Sequence, residues 1–206
     1  MRLIVPLLIL LVSIAPLAKA SDLAQEQRWA EQIVDAIFDG DVLQLNDGNT
    51  DFLEIYTPAQ VGDTGNAVIL LHGLGVHPDW DQVIRPLRTG LPQQGWSTLS
   101  LQMPILANGV PVEEYAPLFD EAPPRIAAGI EYLKNNGIQR VVIVAHSLGA
   151  SMGSYSLVQH ADPLLVGFVS IGMDRSENHP QMDSVASLTA ISIPVLDLYG
   201  ENDNSG

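Results

Sequence analysis

The chain has 206 residues, 47% of them hydrophobic and 16% charged, with a formal net charge of −15 and no cysteine. This composition excludes an intrinsically disordered chain, a disulfide framework and a thiolate metal centre. The acidic balance disfavours nucleic acid or an anionic membrane surface as a partner, because phosphates attract Lys and Arg.

Arg2 precedes an apolar run from Leu3 to Leu17, and Ala18-Lys19-Ala20 closes it with an A-x-A pattern. That combination predicts a secretory signal peptide over residues 1–20. The run falls short of the roughly 20 apolar residues of a comfortable membrane span. No cysteine follows it, so a lipoprotein anchor is excluded and no stable membrane anchor is expected after cleavage. Secretion without cysteine points to a bacterial periplasm.

Residues 21–206 are expected to form one domain. Leu23 to Phe38 places Trp29, Ile33, Ala36 and Ile37 at helical spacing. Residues 42–45 and 52–56 flank Asn46-Asp47-Gly48-Asn49 and read as a β-hairpin. Apolar runs at 67–71, 141–145, 165–171 and 194–199 read as strands covered on both faces, with 98–101 as one more. Helices are predicted at about 80–93, 121–136, 148–160 and 182–190. Strand and helix alternate, so the expected fold class is α/β, a mostly parallel sheet with helices on both faces. Ligands of such sheets bind beyond the carboxyl ends of the strands.

Two strand-to-helix loops carry chemistry. Ala145-His146-Ser147-Leu148-Gly149 matches G-x-S-x-G with Ala in first place. A serine on that sharp turn needs small residues two before and two after it. Ser147 is therefore a candidate nucleophile, and otherwise a helix cap. Leu70-Leu71-His72-Gly73-Leu74-Gly75 ends an earlier strand. Its backbone suits an oxyanion hole, which nominates the N–H groups of Leu74 and Leu148. His72 is either a base or, more in keeping with a His-Gly turn, a tie within the loop. His146 reads as a packing or hydrogen-bonding residue.

On LLHGLG (70–75), VVIVAHSLGA (141–150) and PVLDLYGEND (194–203), the chain resembles the α/β-hydrolase superfamily. QRWAEQIVDA (27–36), HGLGVHPDW (72–80) and LSLQMP (99–104) carry a narrower resemblance, to an uncharacterised group of secreted bacterial α/β-hydrolase-like proteins. The superfamily resemblance implies a Ser-Asp-His triad with Ser147 as nucleophile and Asp203, after the last predicted strand, as the acid. Gly73, Gly149, His72 and His146 support the site. No metal and no cofactor is expected. Asp174 is the second choice of acid, and Asp197, inside a strand, reads as structural.

The triad histidine should follow Asp203, and no histidine does. Three explanations stand. The chain is C-terminally incomplete and lacks the last strand and helix; or it is an inactive scaffold; or His179 or His77 substitutes. His160, at the far end of the elbow helix, is out of reach. The segment from Ile105 to Pro124 reads as a lid or a solvated loop, and Gln102, Met103 and Pro104 are expected to border the pocket. Two functions follow: a secreted serine hydrolase acting on a neutral ester, thioester or amide, or a non-catalytic envelope protein with a binding role.

Overall fold

The computed structural model describes residues 20–62, 64–173, 176 and 178–201. Helix α1 spans Leu23–Ala36, and the Asp22 side chain accepts from the Gln25 N–H at its start. Strands β1 (Asp41–Asn46) and β2 (Asp51–Thr57) form the predicted hairpin. The Asp47 carboxylate closes its loop by accepting from the N–H groups of Asn49 and Thr50, both at 2.8 Å. There follow β3 (Asn66–Leu71), α2 (Ile84–Gly90), β4 (Ser97–Leu101), α3 (Ala122–Asn135), β5 (Arg140–His146), α4 (Leu148–Gln159), β6 (Leu165–Ile171), α5 (Ser184–Ala190) and β7 (Val195–Leu198).

The seven strands make one sheet in the order β1-β2-β4-β3-β5-β6-β7. The β1–β2 and β2–β4 pairs are antiparallel, and the other pairs are parallel. Alternation along each strand divides the apolar residues between the two faces. Val68 and Leu70 of β3 pack with Ile84 and Leu87 of α2, whereas Ile69 and Leu71 join Ile126, Ile130, Leu133 and Phe168 on the opposite face. Helix α1 covers the hairpin end of the first face, with Ala30 and Ile33 against Leu53 and Ile55. Burial on both faces is what makes these strands read as continuous apolar runs. Strand β7 closes one end of the sheet and exposes Val195, Leu196 and Leu198. Among the described residues no helix is long and apolar enough to cross a membrane.

Three expectations need correction. The helix expected at 80–93 is only Ile84–Gly90, followed by a 3-10 turn over Leu91–Gln94. Asp79 and Trp80 are used instead to anchor the preceding loop, as described below. The segment from Ile105 to Pro124 is not a solvated loop. Residues Val112–Glu121 form a 3-10 stretch that bears Pro117 and buries Tyr115, Leu118 and Phe119 in the main core. Finally, Gln102 and Met103 are fully buried and line no cavity around Ser147.

Candidate active site

Strand β5 delivers Ser147 to the carboxyl edge of the sheet, and α4 starts at the next residue. Ser147 has φ 50° and ψ −125°, and among the described residues it is the one non-glycine with positive φ. Such a conformation costs on the order of 1–3 kcal/mol and persists only where its surroundings enforce it. Here the Ser147 N–H donates to the Ile171 carbonyl at 2.9 Å, and the Ser147 carbonyl accepts from Ala150 N–H at 2.8 Å. The turn is thus fastened to the end of β6 on one side and to the first turn of α4 on the other.

Small residues let the turn sit where it does. A Cβ on Gly149 would lie 2.2 Å from the His72 carbonyl oxygen, and one on Gly73 would lie 3.0 Å from Ser147 Cβ and 2.8 Å from His146 Nδ1. The elbow and the 72–75 loop therefore touch backbone to backbone. Ala145, in the position two before the serine, is fully buried in β5.

The 72–80 loop is tied down at every turn. The His72 Nδ1–H donates to the Gly73 carbonyl at 3.0 Å, and Nε2 accepts from the Met103 N–H at 3.0 Å. Gln102 Nε2 lies 3.1 Å from the same nitrogen and donates to the Met103 carbonyl at 2.7 Å. Burial pushes the His72 pKa down to about 3, so the ring is neutral and fully committed to joining the loop to the end of β4. Ser100 Oγ donates to the Pro78 carbonyl at 2.7 Å. Asp79 accepts from Arg88 Nε at 3.1 Å and Nη2 at 2.9 Å, and from Arg85 Nε at 2.9 Å. Arg88, itself buried, also reaches Thr57 Oγ1 and the Asp39 carbonyl. The Trp80 ring tilts against His146 with centroids 5.0 Å apart. The sequence reading missed the Asp79–Arg88 anchor. A charged pair nine residues apart, one member in an apolar segment, was the available signal.

Ser147, Leu74 and Leu148 line one cavity of about 220 Å³. Val112, Ser151, Ser176 and Met182 line it as well. Ser151 stands one helical turn after Ser147 and was findable by period, whereas Val112 and Met182 arrive from distant segments.

None of the five histidines lines this cavity. His72 is committed as described. His77 packs edge-on against Trp29, with centroids 5.7 Å apart, and its Nδ1 accepts from the Asp79 N–H. His146 lies against Trp80. His160 lines a separate cavity between α3 and α4, and His179 a groove with Glu113, Glu114 and Asp120. Asp197 accepts from Ser170 Oγ across the β6–β7 pair, a structural use. Asp203 and Asp174 lie outside the described residues.

The family model described as "Protein of unknown function (DUF3530)" matches residues 3–124. The chain belongs to that family. The match includes the 72–80 loop and ends before the Ser147 elbow. No curated protein matches the chain in sequence. Solved structures are similar in fold at low identity. Dienelactone hydrolase from Anabaena variabilis is 18% identical with a TM-score of 0.59, over 80% of this chain and 74% of that one. An esterase from Pyrococcus furiosus is 14% identical with a TM-score of 0.60, over 80% and 71%. A soluble variant of monoglyceride lipase from Saccharomyces cerevisiae is 18% identical with a TM-score of 0.51, over 68% of this chain and 46% of that one. The chain shares its fold with these structures, a dienelactone hydrolase, an esterase and a lipase.

Proposed function

We propose that this chain carries the nucleophile half of a secreted, periplasmic serine hydrolase. The observation that carries the reading is Ser147, held at φ 50° and opening into a cavity shared with Leu74 and Leu148. In this reading Ser147 Oγ attacks an acyl carbon, and the N–H groups of Leu74 and Leu148 hold the oxyanion. Loss of one such donor typically slows acyl transfer about 10²–10³-fold. Asp203 orients the base and stabilises the imidazolium. The base is a histidine outside these 206 residues, since all five present are engaged elsewhere or line other cavities. Residues 1–20 direct export and are removed, and residues 21–206 form the hydrolase-like domain.

The substrate is a neutral ester, thioester or amide. Leu74, Val112, Leu148 and Met182 make the cavity largely apolar, and about 220 Å³ has room for an acyl group of roughly eight carbons, since a cavity of about 150 Å³ holds benzene. The net charge of −15 opposes strongly anionic substrates. Fluorophosphonate labelling of the full-length protein tests this. Labelling at Ser147 that disappears in Ser147→Ala supports it. Failure to label with ester, thioester and amide probes alike leaves the alternative, a binding protein that keeps the fold.

A further inference from the structure

Ser21 is the first residue after Ala18-Lys19-Ala20, and its backbone nitrogen donates to Glu121 Oε1 at 3.2 Å. Ala20 is exposed, whereas Ser21 is buried. The next residue is equally fixed: the Asp22 N–H donates to the Ile105 carbonyl at 2.7 Å. Among the described residues, burial therefore begins at Ser21.

The surroundings of Ser21 are rich in negative charge. Arg125, on α3 and fully buried, pairs with Glu26 of α1 at 2.9 Å and stands 3.5 Å from the Asp47 carboxylate of the hairpin loop. Its Nη1 also donates to the Gln102 carbonyl at 3.0 Å. Burial holds the Glu26 carboxyl above its usual range despite Arg125, and the charge of Glu121 adds to that effect. Glu26 and Asp47 thus gather around one guanidinium, Glu121 acts on Glu26 from nearby, and the Asp22 carboxylate is occupied at the helix cap. A secondary amide at Ser21 brings one neutral donor to this cluster. A free amine brings three donors and a positive charge.

We infer that export cleavage falls between Ala20 and Ser21, and that the α-ammonium it creates forms an ion pair with Glu121 as the second cation of this cluster. The inference rests on the secretory reading of residues 1–20 but not on hydrolase activity. Glu121 ends the 3-10 stretch whose other end, Val112, lines the Ser147 cavity. Processing would therefore tighten one wall of the candidate site as well as the N-terminus.

The test uses the exported protein. Mass spectrometry of its N-terminus should find Ser21; any other first residue overturns the inference. Lys134 is the one lysine in residues 21–206, and acetylation at mildly acidic pH, where the α-amine of pKa about 7.7–8.0 reacts ahead of lysine amines of about 10.4, modifies the N-terminus selectively. The free-amine protein should show a folding constant about 5- to 20-fold larger than the acetylated one at pH 6, as expected of a partly exposed charge-assisted contact. The pair raises the amine pKa in the folded state above the unfolded value of about 7.7–8.0. Its stabilisation is therefore complete below that range and lost as pH rises through the folded value. The difference should vanish in Glu121→Gln. Equal stability of free and acetylated proteins at pH 6, or a difference that survives Glu121→Gln, overturns the ion pair. Should Glu121→Gln fail to fold, NMR titration of the amine decides: a pKa above 8 supports the pair, and one at or below the free value refutes it. Labelling at Ser147 is not read, so a failed hydrolase assignment leaves this result intact.

Discussion

Substituting Gly149 by alanine should separate the two halves of the candidate site. The added Cβ would stand 2.2 Å from the His72 carbonyl oxygen and 2.9 Å from both the His72 carbonyl carbon and the Leu71 oxygen. Ordinary contact begins near 3.4 Å. The start of α4 must therefore move from the end of β3 by about 1 Å, because every opposing atom is backbone. Overpacking of this kind costs typically 1–3 kcal/mol, and with no flexible side chain to yield we expect about 3 kcal/mol. The control is Gly153→Ala on the same helix. Its Cβ would lie 3.0 Å from Leu71 Cδ1 and 3.2 Å from Phe168 Cε2, side-chain atoms that can shift. There the gain of about 1 kcal/mol in helix propensity offsets the crowding, and the net change should be small. Urea denaturation with an unchanged m-value measures both. Displacing Leu148 by 1 Å should also slow fluorophosphonate labelling of Ser147 on the order of 10²-fold in the full-length protein. A Gly149→Ala protein within about 0.5 kcal/mol of its parent would refute the close backbone approach, whatever its labelling.

Three further outcomes follow from the same geometry. Ser147→Gly should abolish labelling yet raise stability by about 1 kcal/mol in thermal or urea unfolding, since glycine tolerates φ 50°; a loss of stability would contradict the strain. His72, with a pKa near 3 against an ordinary 6.5, contributes stability that is complete above pH 6.5 and lost as pH falls toward 3. His72→Ala should flatten that acid limb and destabilise the protein at neutral pH by roughly 2–3 kcal/mol, because the Met103 N–H loses its buried acceptor. Glu54, fully buried in β2, has its pKa raised by burial to about 8 from an ordinary 4.5. The folded state holds the extra proton, so stability should fall as pH rises from about 4.5 to 8 and level off above. Glu54→Gln should remove that slope and be the more stable protein at pH 8, read as Tm against pH; an unchanged slope would show that Glu54 is solvated.

The order of strands and helices was legible because the information is local. Residues 66–71, 141–145 and 165–171 are covered on both faces, so each announces itself as an apolar run, and the Asn46–Asn49 loop announces the hairpin. The elbow was equally legible: a strained turn excludes side-chain volume at fixed offsets, which leaves Gly149 and Gly73 as marks in the sequence. The division of labour among the five histidines was not local. His72 is a loop tie because Met103, 31 residues away, points its N–H at Nε2. His179 faces Glu113 and Asp120 only because the segment from Val112 to Glu121 packs beside it. That segment carries prolines and acids that suit a solvated loop, yet Tyr115, Leu118 and Phe119 find a place in the core. Sequence by itself determined the α/β class, the strand that ends at Ser147 and the glycines that let the elbow meet the 72–75 loop. Tertiary structure alone decided which side chains wall the cavity, which histidines are already engaged and where Arg88 and Arg125 find their carboxylates. Backbone strain and apolar burial act over a few residues and leave periodic traces, whereas a hydrogen bond or ion pair between distant segments exists only once the sheet has brought them together.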